Sequence, residues 1–120
     1  MTSLSLHRTG SFNVNRDAED STQCGFARGN RTCWFDVTIR SMNQLDENGF
    51  LIDNNEVQHY FDRTYAGVTS FKSCETIALR AVNDLRDIVG HDRCLSIKVE
   101  IKPGDYAGIT AESEFQCPLS

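Results

Sequence analysis

Arginine dominates the basic side chains of this 120-residue chain, with nine Arg against three Lys. The arginines lie at positions 8, 16, 28, 31, 40, 63, 80, 86 and 93. A guanidinium group is planar and stays protonated, so it binds carboxylates and phosphates through parallel hydrogen bonds. The bias therefore favours a partner that carries a planar anion.

Five cysteines, an odd number, occupy positions 24, 33, 74, 94 and 117, and the nearest two are nine residues apart. A secreted disulfide framework favours even numbers, and the sequence contains no C-x-x-C motif. We therefore expect reduced thiols in a cytoplasmic protein, with the cysteines acting as small buried hydrophobic groups.

The composition is that of an ordinary globular domain, with 39% hydrophobic and 24% charged residues. A single domain, residues 1–120, is the expectation for this length. The net charge of -5 argues against a basic nucleic-acid surface. The apolar stretches are too short for a membrane span, and the first ten residues lack the hydrophobic core of a secretory signal. We therefore expect neither a nucleic acid nor a membrane as partner.

Four segments alternate apolar and polar residues, the pattern of a half-buried strand. They cover residues 3–16 (one long strand, or 3–9 and 11–16), 33–41, 94–102 and 106–116. The alternation is cleanest where Phe35, Val37 and Ile39 share one face. The polar stretch 17–31 predicts a loop between the first two strands.

Apolar residues at helical spacing predict two helices between the second and third strands. The first covers residues 55–63 after a cap at Asp53 or Asn54, and the second covers 74–89. Gly90 follows at the position of a left-handed C-cap. The element order is therefore β-β-α-α-β-β.

This order predicts an α+β layer in which two helices cover one face of a four-stranded antiparallel sheet. The other face also needs cover, and in so short a chain we expect other copies of the same chain to provide it. The prediction is a homo-oligomer with ligand sites at subunit boundaries.

Three motifs, in this order and spacing, resemble the family of 6-pyruvoyltetrahydropterin synthase and 6-carboxytetrahydropterin synthase. Residues 49–53 resemble the family's glycine, three apolar residues and Asp before the first helix, and 73–78 resemble its Pro-Thr-Ser-Glu-Asn-x-Ala helix start. Residues 97–100 resemble the strand whose glutamate anchors the pterin ring. The similarity runs from about residue 12 to 110. The resemblance implies the tunnelling fold, in which several subunits form an oligomeric barrel. It also implies an assembly of trimers, either stacked into a hexamer or in another trimer-based ring.

The family's zinc positions are the clearest departure from its pattern. The family binds zinc through three histidines, in the patterns F-x-x-x-H and C-x-x-x-H-G-H. Cys24 and Gly29 keep the frame, but the histidine positions hold Arg16, Arg28 and Asn30. Arginine stays protonated and cannot ligate zinc. We therefore expect no zinc, no other cofactor and no ordinary synthase activity.

The resemblance also implies a proton-transfer triad of Cys, Asp and His. Cys24 and Asp62 occupy the first two positions, and Arg63 stands where the histidine would be. A thiol near cations has a lowered pKa and can act as a base or a nucleophile, but the relay lacks its histidine. An enzyme with altered, metal-free chemistry and a binding protein without activity both stay open.

If the fold is as implied, Arg16, Arg28 and Arg63 converge, with Asn30, near the former zinc position. Clustered guanidinium groups repel one another and need an anion. That anion is either a carboxylate of the chain itself, from Asp17, Glu19, Asp20 or Asp62, or the phosphate or carboxylate tail of a small ligand. We favour the ligand.

Two glutamates have both a structural and a ligand-binding interpretation. Glu100 can pair with Lys98 or Lys102, but its carboxylate can also accept two hydrogen bonds from the amino group and ring N–H of a pterin or guanine. The resemblance favours this second role. Glu75 lies in the first turn of a helix, where it interacts well with the helix dipole, and we rank this above ligand binding. Trp34 and Phe35 are expected to fill the core or a subunit interface rather than to stack on a ligand.

The leading hypothesis is a homo-oligomer that binds a pterin-like or purine-like heterocycle with an anionic tail, without zinc chemistry. A non-catalytic oligomeric or regulatory protein is one alternative. The dipeptide Lys102-Pro103 also resembles dihydroneopterin aldolase, a tunnelling-fold enzyme whose lysine before proline takes part in proton transfer. An aldolase-like lyase is therefore the other alternative.

Overall fold

The computed structural model describes residues 3–16, 29–42, 45, 47, 49, 51–52, 55–65, 74–104 and 110–117, with the backbone alone at 15, 16 and 29–31. The elements are β1 (Ser3–Arg16), β2 (Gly29–Met42), α1 (Glu56–Tyr65), α2 (Cys74–Val89), β3 (Cys94–Pro103) and β4 (Ala111–Gln116). The order β-β-α-α-β-β predicted from the sequence is confirmed.

The four strands form one antiparallel sheet in the order β1-β2-β3-β4. β1 is one strand of 14 residues, paired with β2 from Ser3↔Met42 to Arg16↔Gly29. The predicted loop is therefore wrong at residues 29–31, because pairing with residues 14–16 of β1 extends the hairpin ladder. The last strand is described from Ala111, and residues 105–109 lie outside the described ranges.

The core lies between the helices and one face of the sheet. Alternate strand residues face the helices, and their apolar side chains are buried. Phe61 of α1 stacks on Phe35 of β2 at a centroid distance of 4.3 Å and on Phe12 of β1 at 4.9 Å. These three rings fasten α1 to the first hairpin.

The end of α2 follows the prediction from the sequence. Gly90 has a φ of 105°, in the region that favours glycine, and its amide donates to the Arg86 carbonyl at 2.9 Å. Arg93 then donates from Nη2 to the carbonyl oxygens of Val89 at 2.7 Å and Leu51 at 3.1 Å. This guanidinium satisfies a helix-end carbonyl and joins α2 to the segment before α1.

A buried hydrogen-bond network joins the two helices. The Tyr60 hydroxyl donates to Asp84 Oδ2 at 2.6 Å and lies 2.8 Å from the Tyr65 hydroxyl. Arg80 also donates to Asp84 Oδ2, at 3.3 Å. Burial raises the pKa of Tyr65 to about 12, and burial followed by the bond to Asp84 raises the pKa of Tyr60 further. Both phenols therefore stay protonated in the folded protein.

Three of the cysteines in the described ranges are buried, and one is exposed. Cys33, Cys74 and Cys94 lie inside, Cys117 lies at the surface, and none of these four forms a disulfide. Burial raises the pKa of Cys94. Neither of the described helices is long and apolar enough to cross a membrane.

Candidate functional site

The face of the sheet that the helices leave uncovered, the open face, carries a cavity of about 290 Å³. Strand register builds it, because residues directly opposite on paired strands share a face. Trp34 of β2 lies opposite Lys102 of β3, and Asp36 lies opposite Glu100. The lining residues are Thr9, Gly10, Trp34, Phe35, Asp36, Glu100 and Lys102.

Two carboxylates face each other across the cavity, and each has a cationic or ionisable neighbour. His7 Nε2 contacts Asp36 Oδ1. Lys98 Nζ lies 3.3 Å from Glu100 Oε1 and 3.5 Å from Glu112 Oε2. The hydrogen bond to Glu100 raises the pKa of Lys98, and the charge of Glu112 adds to the effect. Lys98 therefore offsets part of the repulsion along this row.

Glu100 makes the contact that its structural interpretation expects, and its ligand-binding role stays a prediction. It makes the pair with Lys98 that the structural interpretation expects, and its side chain also lines the cavity at 26% exposure. Partial exposure leaves the carboxylate accessible to a ligand while its position is held by Lys98.

Trp34 and Phe35 separate onto opposite faces. Phe35 lies in the core at 2% exposure, as expected, whereas Trp34 is 52% exposed in this chain and lines the cavity. Of the two places expected for Trp34, the core is wrong, because strand alternation turns its side chain to the open face. The subunit interface stays a prediction.

Asp62 and Arg63 lie on α1, on the helix-covered side of the sheet. Both are exposed. Asp62 Oδ1 accepts a hydrogen bond from Gln58 Nε2 at 3.1 Å, while Arg63 Nη2 lies 3.1 Å from Glu56 Oε1. A carboxylate of the chain does pair with Arg63, but it is Glu56 rather than Asp62.

The other predicted site residues are only partly described. The register pairs Arg16 with Gly29 and Asn30 with Asn15, so both positions lie at the same end of the first hairpin. Cys24 and Arg28 fall outside the described residues. Glu75 is exposed in the first turn of α2, as a residue that interacts with the helix dipole would be.

Solved structures share this architecture at low sequence identity. An archaeosine synthase QueF-Like in the apo form is 15% identical, with 97% of this chain and 95% of that chain covered and a TM-score of 0.57. The 6-pyruvoyl tetrahydropterin synthases of Plasmodium vivax and Plasmodium falciparum are each 10% identical, with 98% of this chain and all of theirs covered and TM-scores of 0.54 and 0.55. The chain has the tunnelling fold. No protein-family model and no curated protein sequence matches it.

Within one copy of this tunnelling-fold chain, Glu100 is separated from Asp62 and Arg63 by the sheet. Glu100 lies on the open face, whereas α1 packs on the other face, where Gln58 Nε2 donates to the Ser11 carbonyl at 2.8 Å. Glu100, the predicted ring anchor, therefore does not meet Arg63, one of the predicted anion-binding residues, inside a single chain.

Among the described side chains, no group of three His, Cys, Asp or Glu residues is close enough to hold a metal ion.

Of the residues that line the cavity, sequence reasoning named only Glu100 and Lys102 as site candidates and missed the others, among them Trp34 and Asp36. The signal was present in the clean alternation of residues 33–41, which assigns both to the polar face. What the sequence lacked was the register, which brings them opposite Lys102 and Glu100.

Proposed function

We propose that this chain binds a pterin-like or purine-like small molecule in the open-face cavity, and that it lacks the zinc chemistry of the pterin synthases. The observation that carries the proposal is the carboxylate of Glu100 in a cavity of about 290 Å³ beside an exposed indole. Small-molecule sites usually begin at roughly 300 Å³. The cavity therefore suits a single fused ring system better than a whole nucleotide.

Glu100 supplies the recognition chemistry. An ionised carboxylate accepts two hydrogen bonds side by side, which matches the amino group and ring N–H of a pterin or guanine. Lys98 Nζ, at 3.3 Å from Oε1, pairs with the carboxylate and helps to hold it in place. The ligand then supplies donors rather than a charge.

The residues at the family's zinc positions do not fit zinc. Two are Arg, which stays protonated, and the third is Asn. We propose instead that Arg16, Arg28 and Asn30 contact an anionic tail of the ligand, with Arg63 from α1. Because α1 carries Arg63 on the other face of the sheet from Glu100, one ligand contacts both Glu100 and Arg63 only if a second copy contributes one of these two residues.

This separation supports a homo-oligomer with sites at subunit boundaries. We propose that the oligomer is a hexamer or another trimer-based ring, and that it is cytoplasmic. The open face also carries polar and charged side chains that a neighbouring copy would help to enclose. A purely regulatory oligomer would keep the same shell without binding a heterocycle.

An enzymatic role would use Cys24 and Asp62 as proton-transfer groups. Turnover of a pterin that is lost in Cys24→Ala supports an enzyme, and tight binding without turnover supports a binding protein. A second candidate, an aldolase-like lyase, is favoured by one observation, that Lys102 lines the same cavity as Glu100. Incubation with dihydroneopterin and assay for glycolaldehyde separates it from the others.

Calorimetric titration of the full chain with 9-methylguanine and with pterin tests the proposal. Glu100→Gln is expected to raise Kd about tenfold or more, because a hydrogen bond to a charged group is worth roughly 1.5–3 kcal/mol. Its thermal unfolding should stay close to wild type. Glu114→Gln removes a carboxylate from the same open face outside the cavity and should bind like wild type. Equal affinity in Glu100→Gln, or no binding of either compound to wild type, would contradict the proposal.

A further inference from the structure

We infer that Trp34 is the surface on which the ligand's ring stacks, and that Lys102 donates to a ring carbonyl beside the edge that Glu100 reads. The inference rests on the proposed function and narrows the ligand to flat 2-amino-oxo heterocycles, whose edge presents donor, donor and acceptor in that order. Glu100 accepts from the amino group and the ring N–H, and Lys102 donates to the neighbouring oxygen.

Register places these groups within the span of one fused ring system. Trp34 lies directly opposite Lys102, and Glu100 is two residues before Lys102 on the same strand and face. Residues two apart on a strand are separated by about 6.6 Å, and opposite residues by about 5 Å. The Trp34 indole, the Glu100 carboxylate and the Lys102 ammonium therefore lie on neighbouring positions of the sheet and line the same cavity.

The indole is large, apolar and 52% exposed on the second strand of a four-stranded sheet. An aromatic side chain has only two side-chain torsions, so it loses little entropy when a ring stacks on it. Every aromatic heterocycle has a flat face that can stack in this way. Phe35, its neighbour in the chain, is already used by the core. Among the described residues, Trp34 thus offers an exposed aromatic surface to a ligand at Glu100.

Gly104 explains how the indole is held beside the end of β3. Its amide donates to the Thr32 carbonyl at 2.8 Å. A Cβ at this position would lie 2.6 Å from that carbonyl oxygen and 3.4 Å from the Trp34 Nε1 atom. The missing side chain therefore permits a close approach of backbone and indole, which leaves the rest of the indole facing the cavity.

The chain has a single tryptophan, so its fluorescence reports on this position alone. Titration of wild type with 9-methylguanine, with selective excitation of the indole, should quench the emission with the Kd that calorimetry gives. Trp34→Ala should weaken binding on the order of tenfold or more, and Trp34→Phe should retain most of the affinity. Leu79→Ala removes another exposed apolar side chain, on α2, and should bind like wild type.

Lys102 has its own readout. Lys102→Met should weaken binding of 9-methylguanine several-fold. Binding of 9-methyl-2-aminopurine, which lacks the C6 oxygen and the ring N–H beside it, should be the same in Lys102→Met as in wild type. A loss of equal size for both compounds would remove Lys102 from the carbonyl contact and contradict this part of the inference.

Native mass spectrometry of the same variants tests the competing role of Trp34 in a subunit interface. A changed subunit number in Trp34→Ala, together with wild-type indole emission that is insensitive to saturating ligand, overturns the inference. Unchanged affinity in Trp34→Ala also overturns it, and if Glu100→Gln still loses binding, the proposed function stands alone. If wild type binds no compound, both fall.

Discussion

Asp36 of β2 and Glu100 of β3 lie directly opposite one another, and both line the open-face cavity. Like charges in this arrangement repel, and a site with such a pair needs cations nearby. Lys98 reaches both Glu100 and Glu112, and His7 contacts Asp36. The cavity therefore presents hydrogen-bond acceptors whose charge is partly balanced before any ligand arrives.

Removal of the Lys98 charge should destabilise the sheet by an amount that depends on salt. We expect Lys98→Met to lower Tm most at low ionic strength, because salt screens exposed charges. Thermal unfolding of both proteins across a salt series measures this. The raised pKa means that the stabilisation is present below the ordinary Lys value of 10.5 and is lost as pH rises through the folded value. A Tm difference that grows with salt would contradict the counterion role.

Alkaline pH should weaken the folded state through the tyrosine network. Because burial raises the pKa of Tyr65 to about 12 and that of Tyr60 further, the folded protein retains protons that the unfolded chain loses above pH 10. The free energy of unfolding should therefore fall from about pH 10 upward. Urea unfolding across this range measures it.

Tyr60→Phe is the control for that pH dependence. The free energy of unfolding of this variant should fall less steeply above pH 10. At neutral pH it should be about 1–3 kcal/mol lower than that of wild type, because Asp84 loses the Tyr60 donor and the Tyr65 hydroxyl loses a partner. Parallel pH curves for the two proteins would show that the phenols do not titrate as described.

Gly104→Ala should disturb fold and site together. The added Cβ would lie 2.6 Å from the Thr32 carbonyl oxygen, which is backbone and yields only if the end of β3 shifts. We expect a loss of about 1–3 kcal/mol in unfolding free energy, the usual cost of overpacking, and a shift in Trp34 emission. Stability and emission equal to wild type would remove the close approach that the inference about Trp34 uses.

Purified protein should contain no stoichiometric zinc. The three positions that the family fills with histidine hold two arginines and an asparagine, and guanidinium groups cannot ligate a cation. Elemental analysis of protein prepared without chelators measures this, with added zinc as the challenge. One zinc per chain after removal of excess metal would show that the alignment of these positions is wrong.

The fold was predictable in outline because alternation and helical spacing are local signals. Residues 74–89 matched α2 at both ends, since the apolar stripe and Gly90 mark its limits. The extension of β2 back to Gly29 was not predictable, because polar residues that read as loop are held by pairing with β1. The strand propensity of a residue is a local quantity and does not predict such long-range pairing.

The site was predictable only in part, for the same reason. The sequence identified Glu100 as a candidate, but its neighbours Trp34 and Asp36 come from a strand more than sixty positions earlier. Their meeting depends on register. The separation of Glu100 from Arg63 by the sheet likewise depends on which face α1 covers. The anion site of Arg16, Arg28 and Asn30 stays a prediction.

The most direct test of the account compares two ligands in two proteins by calorimetry. Wild type should bind 9-methylguanine more tightly than 9-methylhypoxanthine, which lacks only the 2-amino donor, by about tenfold or more. Glu100→Gln should lose most of that preference, because the amide offers one acceptor oxygen where the carboxylate offers two. If the preference is the same in both proteins, Glu100 does not read the ligand, and the assignment of the cavity fails.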